Sequence, residues 1–248
     1  MFNPYSLVGK AILITGASSG IGRSTAIECS KLGAQVVITG RDHNRLQETF
    51  DQLEGTSHLM IQADLTNEDD LEKLINELPQ LSGLVNNAGI AQPKLFSFTS
   101  VLEAEVLFKT NFFAPFELLH RIIKSKKLVK NSSVVFVSSI AGTTITSPGG
   151  SVYGASKSAI NGLSKALALE LAPKRIRVNT VMPGMIETQI MDDSSISKAD
   201  LEEDRKRYPL GRYGKPDDVA YAIIYLLSDA SSWTTGTNLL LDGGYTLT

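Results

Sequence analysis

The chain has 248 residues, of which 42% are hydrophobic and 20% are charged, and its net charge at pH 7 is -2. This length suffices for one sizeable core, and the small net charge argues against a nucleic-acid or membrane-surface partner. No stretch reaches the roughly 18 apolar residues of a membrane span, and the lone cysteine, Cys29, cannot form an internal disulfide. We therefore expect one cytoplasmic domain over residues 1–248, without a metal site, that acts on a small molecule.

Short β-branched runs alternate along the chain with longer segments of helical character. Because strand-helix-strand connections are right-handed crossovers, this alternation predicts a parallel sheet of about seven strands with helices on both faces. The fold class is therefore a doubly wound α/β fold. The predicted strands are residues 11–15, 35–39, 58–61, 83–86, 133–137, 176–181 and 237–241.

Capping residues and prolines mark the predicted helix ends. Asn67 is a candidate N-cap for a helix over 69–77, Pro173 ends a helix that begins near Val152, and Pro216 opens a helix that continues to Leu227. The long polar stretch 187–208 lies late in the chain, where a mobile covering segment is tolerated. We expect it to form a substrate lid.

A glycine-rich turn directly follows the first predicted strand and precedes a helical segment. Such a turn directs free backbone N–H groups and the positive end of a helix at one point, and glycine lets a pyrophosphate approach closely. The spacing Gly-x-x-x-Gly-x-Gly departs from the Rossmann pattern Gly-x-Gly-x-x-Gly, but its position favours a phosphate site over a plain tight turn. The predicted contacts are Gly16, Ser18, Ser19, Gly20, Ile21 and Gly22.

The residue after the second predicted strand indicates which nicotinamide cofactor binds. An NAD site places Asp or Glu there for the ribose 2′-hydroxyl, whereas this chain has Arg41. A guanidinium binds a 2′-phosphate through charge-assisted hydrogen bonds, so we predict that NADP(H) is preferred. The alternative is that Arg41 is a solvated loop residue and that Asp42 contacts NAD(H).

Tyr153 and Lys157 are candidate proton-handling residues, because a spacing of four puts them on one helix face. A nearby ammonium favours the phenolate of tyrosine, and we therefore expect a lowered pKa for Tyr153. The spacing alone is weak evidence, since such pairs occur on many exposed helices. Gly154, Ala155 and Ser156 strengthen it, because small neighbours leave room for another backbone or a flat cofactor.

Together, the glycine turn and residues 153–157 resemble the short-chain dehydrogenase/reductase family over almost the whole chain. Further family-like features follow in the expected order: Asn86-Asn87-Ala88-Gly89, Asn111, Ser139, Pro183-Gly184 and Asp242-Gly243-Gly244. The resemblance implies a Rossmann-type oxidoreductase that moves a hydride between the nicotinamide and a carbonyl or secondary alcohol.

The resemblance also implies roles for four residues. Tyr153 would be the general acid in reduction, and Lys157 its electrostatic partner and a ligand of the nicotinamide ribose. Ser139 would donate to the substrate oxygen, and Asn111 would help to bind a water that links the lysine to solvent. Strand alternation lets only one of the adjacent serines reach the site, and we favour Ser139 over Ser138.

The remaining cofactor contacts rest on the same resemblance. Asp64 and Leu65 would line the adenine pocket, although Asp64 could serve only as a cap or turn residue. Residues 87–89 would lie under the cofactor, although they could simply form a tight turn. The implied contacts are Asp64, Leu65, Asn87, Ala88, Gly89, Tyr153, Lys157, Pro183, Gly184, Ile186 and Thr188.

The substrate is not readable from the sequence beyond its class. Residues 211–216 and 242–245 are most similar to 3-oxoacyl-[acyl-carrier-protein] reductases. Among the substrate classes of the relatives, we therefore narrowly favour a carrier-bound acyl group. A basic cluster would suit an acidic carrier, although solvated helix ends explain it better. Phe96, Phe98 and Met185 are pocket candidates, but a core role is favoured. The cluster consists of Lys124, Lys126, Lys127, Lys130, Lys174 and Arg175.

Relatives form tetramers through the helices that carry Asn111 and Tyr153 and through the last helix and strand, so we expect a homotetramer or a dimer. Two other functions stay open. One is an NAD-dependent sugar, polyol or steroid alcohol dehydrogenase, and the other is a non-catalytic NADP(H)-binding sensor or scaffold.

Overall fold

The computed structural model describes residues 3–188 and 198–247 of the chain. Its strands are β1 (Ala11–Thr15), β2 (Gln35–Gly40), β3 (Leu59–Gln62), β4 (Leu81–Asn86), β5 (Leu128–Val137), β6 (Arg177–Pro183) and β7 (Asn238–Leu241). They form one seven-stranded sheet in the order β3-β2-β1-β4-β5-β6-β7, and neighbouring strands pair in parallel. The seven predicted strands are therefore confirmed.

Helices cover both faces of this sheet. They are α1 (Gly20–Lys31), α2 (His43–Phe50), α3 (Glu68–Glu77), α4 (Val101–Phe108), α5 (Ala114–Lys124), α6 (Ser151–Leu171), α7 (Lys198–Arg205) and α8 (Pro216–Leu227). Successive strand residues face opposite sides: Ile12 and Ile14 pack in a core with α1 and α8, whereas Leu13 packs in a second core with α3, α5 and α6. The doubly wound α/β fold is confirmed.

The strand order creates a crevice at the carboxyl edge of the sheet. β1 lies between β2 and β4, so the chain leaves β1 toward one side and leaves β4 toward the other. In open α/β sheets, ligands bind where the strand order reverses in this way. Strands β1, β4, β5 and β6 all end at this edge. The loops that follow them carry most of the candidate site residues.

The predicted helix boundaries agree with the structure. The Asn67 side chain accepts a hydrogen bond from the Asp70 N–H at 3.0 Å and caps α3. Helix α6 ends at Leu171, just before the short 3-10 turn that contains Pro173, and Pro216 opens α8. Strand β5 begins earlier than predicted, at Leu128, which pairs with Leu81 across an irregular register.

The predicted lid, residues 187–208, is only partly covered by the described residues. Residues 189–197 lie outside them, and α7 occupies most of the remainder. Within 3–188 and 198–247, no helix is long and apolar enough to span a bilayer.

Candidate active site

The glycine turn after β1 has the conformation that a phosphate site needs. Gly16 and Gly20 have φ angles of +63° and +53°, in the left-handed region that favours glycine. A Cβ atom on Gly22 would overlap the carbonyl oxygen of Gly16, so only glycine allows α1 to start this close to the turn. The Ser19 hydroxyl makes no capping hydrogen bond to α1. The first N–H groups of the helix therefore face the crevice without a side-chain cap.

Hydrogen bonds join this turn to the end of β4. The Asn87 side-chain amide donates to Thr15 O at 2.9 Å and to Gly16 O at 3.1 Å. In return, the Thr15 hydroxyl oxygen accepts from the N–H groups of Asn87 and Ala88, each at 3.0 Å. Asn87 thus fixes the geometry of both turns. Thr15 is a site residue that the sequence reasoning missed, and its only signal is a polar residue at the end of an apolar strand.

Tyr153, Ser139 and Lys157 converge at the carboxyl edge. The Ser139 side chain hydrogen-bonds to that of half-buried Tyr153. The Lys157 Nζ lies 5.9 Å from the centre of the Tyr153 ring and donates to Val137 O at 2.9 Å. The Ser138 hydroxyl instead donates to Lys157 O at 2.9 Å, so it points into α6. Of the two serines, Ser139 is the one beside the tyrosine.

Asn111 lies in a π-helical turn, Lys109–Phe113, between α4 and α5. Such turns insert an extra residue into a helix and are frequent at functional sites. The Asn111 Oδ1 accepts from Ile90 N–H at 2.8 Å, and its Nδ2 donates to Ile90 O at 2.9 Å. A Cβ atom on Gly89 would lie 3.2 Å from Asn111 Oδ1 and 3.3 Å from Lys157 Nζ. Asn111 therefore positions the loop after β4 directly beside the lysine.

Burial controls the protonation of the Tyr153 and Lys157 pair. It lowers the pKa of Lys157 from 10.5 to about 8. It also raises the pKa of Tyr153, and the hydrogen bond from Ser139 only partly opposes this. The expectation that Lys157 lowers the tyrosine pKa is therefore wrong for the free chain. The ammonium is hydrogen-bonded to Val137 O, and desolvation of the phenol dominates.

A pocket of about 460 Å³ at the ends of β2 and β3 is lined by Arg41, Gln62, Asp64, Asp70 and Lys73. The exposed Arg41 is available there to an anionic group. Burial tends to raise the pKa of Asp64, but hydrogen bonds from Thr66 and the charges of Arg41 and Lys109 lower it overall.

Two carboxylates near this pocket have structural roles. Asp64 Oδ1 accepts from the N–H and hydroxyl of Thr66, so this residue does stabilise a turn, next to half-buried Leu65. The Asp42 carboxylate accepts from Arg45 N–H at 3.1 Å and caps α2. Asp42, the alternative NAD contact, is therefore already engaged with a helix.

The loop after β6 forms the other wall of the crevice. Pro183 ends the strand, and Gly184 N–H donates to Leu241 O at 2.9 Å. Buried Ile186 pairs with Gly214. A Cβ atom on Gly20 would lie 3.1 Å from the Thr188 methyl group. Thr188 therefore contacts the glycine turn, and the two walls meet over the helix N-terminus.

One expectation about the surroundings changes. Phe96 and Phe98 are 77% and 70% exposed, so the core interpretation of these aromatics is wrong. The basic cluster lies at the amino edge of the sheet: Lys124, Lys126 and Lys127 precede β5, Lys130 lies near its start, and Lys174 and Arg175 precede β6. Within one chain, that edge is opposite to Tyr153.

These observations fit a bound dinucleotide. The glycine turn forms a cradle that larger side chains would fill, and the uncapped N-terminus of α1 suits a pyrophosphate. Gly89 leaves space where Lys157 and Asn111 converge. The pocket beside Arg41 lies at the same edge and would have room for an adenosine group.

Known proteins match this chain over nearly its full length. A family model described as Enoyl-(Acyl carrier protein) reductase matches residues 16–246. The 3-oxoacyl-[acyl-carrier-protein] reductase of Thermotoga maritima is 34% identical over 244 residues, which cover 96% of this chain and 98% of that protein. A tropinone reductase homolog of Arabidopsis thaliana is 34% identical over 258 residues, covering 98% and 92%.

The structure of a short-chain type dehydrogenase/reductase from Mycobacterium marinum is 32% identical, covers 99% of this chain and 98% of its own, and superposes with a TM-score of 0.89. This chain belongs to the short-chain dehydrogenase/reductase family. It is therefore an oxidoreductase that interconverts carbonyl and hydroxyl groups with a nicotinamide cofactor. The family resemblance identified from the sequence is confirmed.

Replacing Lys157 with methionine should change how stability depends on pH. Because the folded pKa of about 8 lies below the ordinary 10.5, unfolded chains bind more protons than folded chains between these values. Wild-type stability therefore gains a contribution as pH rises through this window, on the order of 2 kcal/mol, and Lys157→Met lacks it. Urea unfolding at about pH 7.5 and about pH 10 measures the difference. A stability difference between the two proteins that is independent of pH would contradict a buried, destabilising ammonium.

Proposed function

We propose that this single-domain, cytoplasmic chain reduces a carbonyl group with NADPH, using Tyr153, Ser139, Lys157 and Asn111. The observation that carries the proposal is the contact of Ser139 with Tyr153 beside the buried Lys157, at the strand ends next to the glycine turn. This arrangement places an acid, an orienting hydroxyl and a cation around one space.

The protonation states favour reduction. A raised pKa keeps the Tyr153 phenol protonated at neutral pH, which is the form that gives a proton to a carbonyl oxygen. Ser139 lies where it can donate a second hydrogen bond to the same oxygen. The bound cofactor supplies the hydride to the carbonyl carbon. Lys157 then lies close enough to stabilise the phenolate that remains, and Asn111 positions the loop beside it.

Tyr153→Phe should lower kcat by about 10² to 10⁴ fold, because phenylalanine keeps the ring but has no proton to give. Cofactor binding should stay within about twofold, since the ring at position 153 and the Lys157 ammonium are both retained. Steady-state NADPH oxidation and a fluorescence titration of NADPH measure the two effects.

The matched control for that experiment is Tyr221→Phe, which removes an exposed tyrosine hydroxyl from α8. It should leave both parameters unchanged. Full activity of Tyr153→Phe would reject the assignment of the general acid.

We propose the remaining cofactor contacts for the same bound dinucleotide. The pyrophosphate would be bound by Gly16, Ser18, Ser19, Gly20, Ile21 and Gly22. Asp64 and Leu65 would line the adenine pocket, and residues 87–89 would lie under the cofactor. Pro183, Gly184, Ile186 and Thr188 would line the nicotinamide end. The contact between Thr188 and Gly20 supports this, because it brings the last set against the first.

Preference for NADP(H) over NAD(H) rests on Arg41. It is exposed at the end of β2 beside the pocket, whereas Asp42 is engaged in capping α2. A guanidinium there suits a 2′-phosphate better than a ribose hydroxyl.

Arg41→Ala should lower kcat/KM for NADPH about tenfold or more and leave that for NADH nearly unchanged, because a charge-assisted hydrogen bond is lost. Asp42→Asn is the matched comparison, since asparagine still caps a helix but carries no charge. A loss of NADH efficiency in Asp42→Asn, with no effect of Arg41→Ala, would instead favour an NAD-dependent enzyme.

For the substrate, we propose a 3-oxoacyl thioester, held by an acyl carrier protein or by a small thiol. Similarity to the Thermotoga maritima reductase supports this class. The basic cluster gives it no support within one chain, because it lies at the opposite edge of the sheet. An NAD-dependent sugar, polyol or steroid dehydrogenase is the second candidate, and a panel of acetoacetyl thioesters, diketones, keto sugars and ketosteroids separates the two. Tight NADPH binding without turnover on that panel would favour a sensor.

We also propose that the chain forms a homotetramer or dimer through α4 and α5. Leu102, Val106, Phe113 and Phe116 lie on α4, α5 and the π-helical turn between them, and they are 41–69% exposed. Exposed apolar patches of this kind often mark interfaces between protein chains. The apolar residues of α8, by contrast, are mostly buried against α1 and the sheet, so most of their apolar surface is already covered.

Light scattering should give a mass of two or four times 26.8 kDa for the wild type. Phe116→Glu should lower this mass, because a charge on the apolar face opposes its burial. Val8→Glu, at another exposed apolar residue, is the control and should keep the assembly. A monomeric wild type at micromolar concentration would reject the proposal.

A further inference from the structure

Tyr208 is a buried tyrosine directly after α7 and the short turn that follows it, and the proposed reaction does not use it. Only 5% of its surface is exposed. Its ring packs edge-on against Tyr213, with centroids 5.2 Å apart, and in a tilted arrangement against Tyr245 at 4.7 Å. This burial raises the pKa of Tyr208 to about 12, so the phenol stays neutral at physiological pH.

The Tyr208 hydroxyl contacts the loop after β6. Its oxygen accepts a hydrogen bond from the Met185 N–H at 3.3 Å. Met185 O and Glu187 N–H pair with the backbone of Gly214 at 3.0 and 2.8 Å. Thr188, next along the loop, contacts the glycine turn at Gly20. The hydroxyl therefore fixes the start of segment 184–188, in which Thr188 lies beside the glycine turn.

The C-terminal turn presents Tyr245 to the Tyr208 ring. The Asp242 carboxylate accepts from the Gly244 N–H at 3.0 Å and from the Thr246 N–H and hydroxyl at 2.9 and 2.7 Å. These hydrogen bonds fold the chain into the short turn Tyr245–Leu247. The Arg207 guanidinium lies over the Tyr245 ring, 4.7 Å from its centre. Tyr213 and Tyr245 therefore both pack against the Tyr208 ring, and this packing orients the Tyr208 hydroxyl toward the Met185 N–H.

Helix α7 reaches the same loop through different residues. The Tyr213 hydroxyl lies 3.0 Å from both Leu201 O and Asp204 Oδ2. Arg205 lies over the Tyr213 ring at 5.2 Å and is 3.5 Å from the Glu187 carboxylate. Tyr213 therefore fixes the helix, whereas Tyr208 fixes the loop backbone, and the two hydroxyls can be tested separately.

We propose that Tyr208 is a positioning residue, whose hydroxyl holds the Met185 backbone so that Ile186 and Thr188 are preset for the nicotinamide. This inference rests on the proposed function, in which that loop contacts the nicotinamide end of the cofactor. Presetting the loop lowers the ordering cost of binding and aligns the hydride donor with the carbonyl carbon.

Tyr208→Phe keeps the ring packing but leaves the Met185 N–H without its acceptor. The Kd for NADPH should rise about fivefold, the loss expected for one hydrogen bond. The primary isotope effect on kcat with NADPH deuterated at C4 should also rise, because a misaligned nicotinamide makes hydride transfer more rate-limiting. A merely structural defect lowers the active fraction and leaves this isotope effect unchanged.

Tyr213→Phe is the matched control, since it removes from the same aromatic cluster a hydroxyl that does not bind Met185. It should leave the NADPH Kd within about twofold and the isotope effect at the wild-type value. Wild-type values for Tyr208→Phe, or equal changes in both variants, would overturn the proposal. If the wild type binds NADPH but reduces no carbonyl, the reductase proposal fails, and the Kd comparison still decides the role of Tyr208.

Discussion

The hydrogen bonds between Thr15 and Asn87 are the contacts on which the site depends most. They join the ends of β1 and β4, the two strands between which the sheet changes direction. Because Thr15 is 1% exposed, these bonds form away from competing water. They set the distance between the glycine turn and Gly89. Gly89 in turn lies beside Lys157 and Asn111, and Gly20 of the glycine turn lies beside Thr188.

Burial of Tyr153 and Lys157 favours the protonation states that the proposed reaction uses, but it lowers the stability of the folded chain. Lys157 is only 6% exposed, so its ammonium loses most of its hydration and donates a hydrogen bond to Val137 O instead. The same burial keeps Tyr153 in its neutral form. An acid beside a cation that has shed part of its solvation is well suited to give up a proton when negative charge develops on a carbonyl oxygen. Function and stability are therefore in conflict at Lys157, as they often are in active sites.

Local sequence patterns were sufficient for the strands and for the helix starts at Asn67 and Pro216. Each of these depends on residues close in sequence: alternation in a strand, a capping side chain, or a ring without an N–H. The choice of Ser139 over Ser138 also used the family resemblance. The π-helical turn at Asn111 was not predictable, because one extra helical residue has no local signal. The raised pKa of Tyr153 depends on burial by distant segments, and so does the aromatic cluster around Tyr208. The exposed Phe96 and Phe98 mislead any rule that buries aromatics.

Transfer of deuterium from labelled cofactor to product tests the central claim most directly. The purified chain would be incubated in ordinary water with NADPH deuterated at both C4 positions and the panel of 3-oxoacyl thioesters, diketones, keto sugars and ketosteroids. Mass spectrometry should find an alcohol that carries one deuterium on the former carbonyl carbon, absent with Tyr153→Phe. No alcohol from any substrate, despite tight NADPH binding, would contradict the account and leave a protein that binds the nucleotide without using it.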